Sequence, residues 1–201
     1  MRRDQLEHAI RTACQIIGHD AVVVVGSQSI LGSFTEDQLP AEATMSTEID
    51  ILPLGKDNSE TARLADLIEG VAGEWSPFEE QHGFNIDGMD LETAVLPTGW
   101  RDRLIKIQNA NTAAISGSPR YIGWCLDKED LCVAKLCALR ECALREKDRN
   151  FVAALLDAGL VDVNVITNGS PSVSKAPQLR PARAHLAKGT RLRHLGHPEL
   201  P

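Results

Sequence analysis

Aromatic residues make up only 4% of this 201-residue chain, with four Phe, three Trp and one Tyr. A core has to be filled by aliphatic side chains. No apolar run approaches the roughly 20 residues that cross a bilayer as a helix, so no transmembrane segment is expected. After the positive start Met1-Arg2-Arg3, Glu7 and His8 stand where the apolar stretch of a secretory signal would begin, which points to the cytoplasm. The five cysteines (Cys14, Cys125, Cys132, Cys137 and Cys142) are odd in number and contain no C-x-x-C pair. A zinc ribbon and a redox dithiol are thereby excluded. Three of them recur every five residues, and five helical steps turn a side chain by about 140°, off any common face. They read as small core residues of a reducing compartment. The six histidines are scattered, and His194 and His197 have no third ligand nearby.

What is present is charge, unevenly placed. The net charge is -7. From residue 168 onward Lys175, Arg180, Arg183, Lys188, Arg191 and Arg193 face a single acid, Glu199, a net +5 that leaves -12 for the preceding residues. Such a tail suits a polyanion that the acidic body would repel, although solvated basic extensions are equally common.

The length suits one sizeable core or two small domains, and the organisation predicted is a mixed α+β fold. Leu6, Ile10, Ala13, Cys14 and Ile17 follow helical spacing, with Gly18 placed to end that helix. Residues 21–25 read as a buried strand that stops at Gly26-Ser27, and a short helix carrying Ile30, Leu31 and Phe34 follows. Residues 36–45 read as an exposed connection. Residues 47–54 read as a second strand, with Ile49 and Ile51 on one face and Glu48 and Asp50 on the other. An amphipathic helix is expected over 58–72. The stretch 84–96 reads as a hairpin because Asp87-Gly88 is a turn dipeptide. The longest helical block runs over 128–158, and 161–166 is expected to be extended. Three regions result: a core over 1–110, a helical part over 111–167 packed on it, and a basic, flexible tail over 168–201.

Two features carry chemistry. Gly26-Ser27 ends a strand and opens a helix, where a glycine lets the backbone approach a phosphate and amides and a hydroxyl donate to it. Glu48 and Asp50, two apart on a strand, aim both carboxylates at one face about 7 Å apart, which suits a hard cation. Burying two like charges there is costly unless a cation neutralises them. The competing reading is a solvated edge strand. Asp87, Asp90 and Glu92 are possible third carboxylates that the sequence does not choose among, and exposed turn charges are the simpler account of them.

In this order the motifs resemble a known family. Val25-Gly26-Ser27 followed by Thr47-Glu48-Ile49-Asp50-Ile51 is similar to the signature of the polymerase-beta-like nucleotidyltransferases in its minimal form. Leu96-Pro97-Thr98-Gly99-Trp100-Arg101-Asp102-Arg103-Leu104, then Lys135 within Leu131–Leu136, and Arg145-Glu146-Lys147-Asp148 with Phe151 resemble the AbiEii-type toxins, also called MenT toxins. The resemblance spans roughly residues 20–160. It implies Mg²⁺ on Glu48 and Asp50, a nucleoside triphosphate held by Gly26 and Ser27, charge neutralisation by Lys135, and Asp148 orienting Lys135 or completing the site. It further implies nucleotide transfer to the 3′ end of tRNA, with translation blocked, and a cognate antitoxin. A protein-modifying nucleotidyltransferase and a non-catalytic nucleotide- or RNA-binding module are the rival readings.

The chain departs from that pattern in two places. Glu48 stands where the family carries Asp. Lys135 and Asp148 are thirteen residues apart instead of eight, an excess equal to the tandem repeat Cys137–Glu141 and Cys142–Glu146. In one straight helix thirteen residues span about 19.5 Å. Either the helix breaks between them, or only one belongs to the site, in which case Arg140, eight before Asp148, is the alternative cation.

Overall fold

A computed structural model describes residues 1–141 and 146–168; the side chains of 138–141 and 168 lie outside the description. In chain order the helices and strands are α1 (Arg3–Ile17), β1 (Ala21–Val24), α2 (Ala41–Thr44), β2 (Glu48–Pro53), α3 (Asn58–Ala72), α4 (Pro77–His82), β3 (Asn85–Gly88), β4 (Ile105–Ile107), β5 (Ile122–Cys125), α5 (Lys128–Glu141), α6 (Glu146–Asp157) and α7 (Val163–Asn168). Single 3₁₀ turns at Ser27–Gly32, Glu36–Gln38 and Trp100–Arg103 fill the connections. The fold is mixed α+β, built on one five-stranded sheet of order β3-β2-β1-β5-β4.

β1 runs antiparallel to β2 and parallel to β5, β2 is parallel to β3, and β4 closes the other edge antiparallel to β5. The predicted alternation on β2 holds: Ile49 and Ile51 are fully buried, while Glu48 and Asp50 on the opposite face are half-buried. α1 and α3 pack against the sheet, and their apolar stripes (Leu6, Ile10 and Ala13; Leu64, Ala65 and Ile68) join the aliphatic core expected from the scarcity of aromatics. Gly18 takes the left-handed conformation (φ 69°) that stops α1. Asp57 caps α3 by accepting the Glu60 backbone N–H at 2.9 Å. Cys14, Cys125 and Cys132 are buried as expected, and burial pushes their thiols up to about 12.

Two expectations need correction. Asp87-Gly88 is no hairpin turn: it ends β3, which lies parallel to β2. Gly88 is required by packing, because a Cβ there would run into the Ala65 backbone of α3. The helical block 128–158 is two helices, as the first of the two alternatives above requires, and α5 and α6 pack on each other. Residues 163–168 form α7 instead of an extended end. β4 and β5, three and four residues long, escaped the sequence reading, as did α4. Cys142, Arg145 and the basic tail beyond residue 168 lie outside the described residues.

Candidate active site

The end of β1 delivers Gly26 against the acidic face of β2. The Val25 N–H donates to the Asp50 carbonyl at 3.0 Å, which locks the two backbones together at the point where the chain turns. A Cβ on residue 26 would lie 1.4 Å from Asp50 Oδ2 and 2.3 Å from its Cγ. The Asp50 carboxylate thus occupies the space that only glycine leaves open. Ser27 is buried at the start of the 3₁₀ turn. Ser29 fixes that turn to β5 by donating through Oγ to the Leu126 carbonyl at 3.3 Å. Gln28 between them is fully buried, and its amide N and O have no hydrogen-bond partner among the described residues.

β2 is an interior strand, flanked by β1 and β3, so the solvated edge reading of Glu48 and Asp50 fails. The neighbour β3 sets Asp87 beside Asp50 in the ladder. One carboxylate oxygen from each of Glu48, Asp50 and Asp87 lies within 4.8 Å of the others. Three carboxylates this close repel one another unless positive charge enters. Hard oxygen donors of this kind are the set that Mg²⁺ takes, and the glycine-sized space at residue 26 keeps the Asp50 carboxylate in the cluster. The structure thus selects Asp87 among the three acids left open. Asp90 instead caps a turn, accepting from the Glu92 and Thr93 backbone N–H groups at 2.9 and 2.8 Å; Glu92 is exposed.

The reason the sequence does not single out Asp87 is physical. Asp-Gly is a strong local turn signal, and only the strand-helix-strand order of β2, α3 and β3 argues for parallel pairing instead. With β3 read as parallel to β2, Asp87 falls next to Asp50.

On the helices, Lys135 Nζ donates to Asp148 Oδ1 at 2.6 Å, with side-chain exposures of 11% and 7%. The same ammonium lies 5.0 Å from the centre of the Phe151 ring. A straight helix over 13 residues forbids this pair, so the packing of α6 on α5 is what joins two residues that sequence spacing holds apart. Arg140 has its side chain outside the described residues. α6 is tied to β2 by a contact the sequence did not announce: Lys147 Nζ donates to Ser46 Oγ at 3.3 Å, and Ser46 Oγ accepts the Glu48 N–H at 3.4 Å. The Pro97–Leu104 motif is anchored by Arg103, which donates to both oxygens of Asp130 at 2.8 Å and so fastens that segment to the first turn of α5.

A family model described as "Nucleotidyltransferase of unknown function (DUF6036)" matches residues 4–174. No curated protein matches the chain. No solved structure matches it.

Proposed function

The chain belongs to this nucleotidyltransferase family, and from that premise we propose that it is a Mg²⁺-dependent transferase that adds nucleotides from a nucleoside triphosphate to the 3′ end of tRNA, as the toxin of a toxin-antitoxin pair. The observation that carries the reading is the closure of Glu48, Asp50 and Asp87 to within 4.8 Å, directly beside the Gly26-Ser27 turn.

Glu48, Asp50 and Asp87 would hold the cation, which when bound would supply Lewis-acid activation at the α-phosphate. The Gly26-Ser27 turn cradles the triphosphate through backbone N–H groups and the Ser27 hydroxyl. Lys135, held by Asp148, adds positive charge as phosphate charge develops. The acceptor hydroxyl oxygen bonds to the α-phosphorus, the bond to the bridging oxygen breaks, and pyrophosphate leaves. The hydroxyl proton passes to a carboxylate oxygen of the trio. The longer side chain of Glu48, where the polymerase-beta-like pattern carries Asp, still brings its carboxylate to the cluster. The tail, with its +5 charge, supplies a phosphate-binding arm for RNA, and a cognate antitoxin is the expected protein partner.

The test is incubation with each labelled nucleoside triphosphate, Mg²⁺ and total tRNA. Label on tRNA that disappears with chelator and in Asp50→Ala is the expected result. No transfer to RNA, with Asp50→Ala indistinguishable from the parent, overturns the proposal. Label on protein instead selects the protein-modifying reading.

A further inference from the structure

Asn85 sits at the start of β3, two residues before Asp87, so the two side chains share one face of the strand. The ladder register pairs Asn85 with Glu48 and Asp87 with Asp50, and the shared face is therefore the one that carries the acids. Its backbone is fixed, the N–H donating to the Thr47 carbonyl at 3.0 Å. Its side-chain oxygen Oδ1 is buried and has no hydrogen-bond partner among the described residues. A buried acceptor without a donor is costly, and native structures keep few of them.

The three carboxylates on that face cannot supply the donor, because ionised carboxylates only accept. A hydrated divalent cation in the cluster would bring one: the waters it retains, polarised by its charge, donate to oxygens in the next shell.

Resting on the cation site proposed above, we propose that Asn85 is a positioning residue that accepts a hydrogen bond from a water on the cation held by Glu48, Asp50 and Asp87. This places a neutral oxygen beside the Glu48 end of the cluster, where this chain has the longer, less constrained acid.

The test is Mn²⁺ binding, read from the free-ion spin resonance signal, for the parent, Asn85→Leu and Asn85→Asp, with thermal melts in the absence of metal. Losing a water-holding acceptor weakens metal binding roughly ten- to a hundredfold, and that loss is expected for Asn85→Leu. Its metal-free melting temperature stays level or rises, because an orphaned buried oxygen has been removed. Asn85→Asp keeps the acceptor and binds Mn²⁺ at least as tightly as the parent. Parent-like Mn²⁺ affinity in Asn85→Leu overturns the role of Asn85 while leaving the cation site standing. So does a lower metal-free melting temperature in Asn85→Leu, or equal weakening in both variants. A parent that binds no Mn²⁺ overturns the cation site, and the role of Asn85 with it.

Discussion

Replacing Gly26 by alanine tests the geometry of the acidic cluster with a single methyl group. The new carbon would lie 1.4 Å from Asp50 Oδ2, 2.3 Å from its Cγ and 2.7 Å from its Cβ. Ordinary contact needs about 3.4 Å or more, so something must move by about 2 Å. The backbone of Asp50 is held from both sides by β1 and β3 and by the 3.0 Å bond from Val25. Rotation of the Asp50 side chain relieves the clash with Oδ2 and Cγ and takes the carboxylate away from Glu48 and Asp87, but the Asp50 Cβ at 2.7 Å is fixed to its strand, so the two backbones must also part. Overpacking of this kind costs about 1–3 kcal/mol, and the required backbone shift puts the cost near the upper end. The functional cost is larger. A misplacement of about 1 Å at a reacting centre already costs about a hundredfold, equivalent to about 2.7 kcal/mol. Gly26→Ala is therefore expected to fold, to melt about 6–12 °C below the parent without metal, and to lose both the Mg²⁺-induced rise in melting temperature and at least a hundredfold in transfer rate. A variant that keeps its Mg²⁺ response and a rate within threefold of the parent refutes the placement of Asp50 in the site.

Three further outcomes are expected elsewhere in the chain. Lys135→Met leaves Asp148 buried beside an uncharged side chain and is expected to cost about 3 kcal/mol in urea unfolding, with Lys135→Met/Asp148→Leu recovering most of it; an unchanged midpoint in the single variant contradicts a buried pair. His8 lies in a ring cluster with Phe78, His82 and Phe84 and against the Arg11 guanidinium. Burial first, and then the charges of Arg11 and His82, lower its pKa from 6.5 to about 4. The unfolded chain therefore takes up this proton first, so stability is full above about pH 6.5 and falls as the pH drops toward 4; His8→Phe should show a shallower decline in melting temperature across that window, and an identical decline contradicts the assignment. Replacing Arg180, Arg183, Arg191 and Arg193 by serine should weaken RNA binding and lower the salt slope by about 3 if all four meet phosphates; an unchanged slope assigns the tail elsewhere.

Much of the scaffold was legible because its signals are periodic. The stripe Leu6, Ile10, Ala13 and Cys14 with Gly18 behind it marks α1. The alternation from Glu48 to Leu52 marks β2 and its two faces, and the strand-glycine-serine order marks the turn that meets Asp50. The rest depends on contacts distant in sequence. β4 and β5 are too short to show a period, and Gly123 interrupts the one apolar run that could have marked β5. Asp87 was masked by a local turn signal that tertiary pairing overrides. Lys135 and Asp148 are recognisable one at a time, but their spacing leaves the pair open, and only the packing of α6 on α5 decides it. Lys147 reaching Ser46 across 101 residues and the orphaned oxygen of Asn85 leave no trace in composition or spacing.

The central claim is that Glu48, Asp50 and Asp87 form the metal and nucleotide site of this transferase. Its most direct test is a crystal structure of the protein with Mn²⁺ and a non-hydrolysable nucleoside triphosphate. The account predicts an anomalous Mn²⁺ peak among the three carboxylates, with the triphosphate over Gly26 and Ser27. Mn²⁺ and nucleotide bound elsewhere, with the three carboxylates unligated, would contradict it.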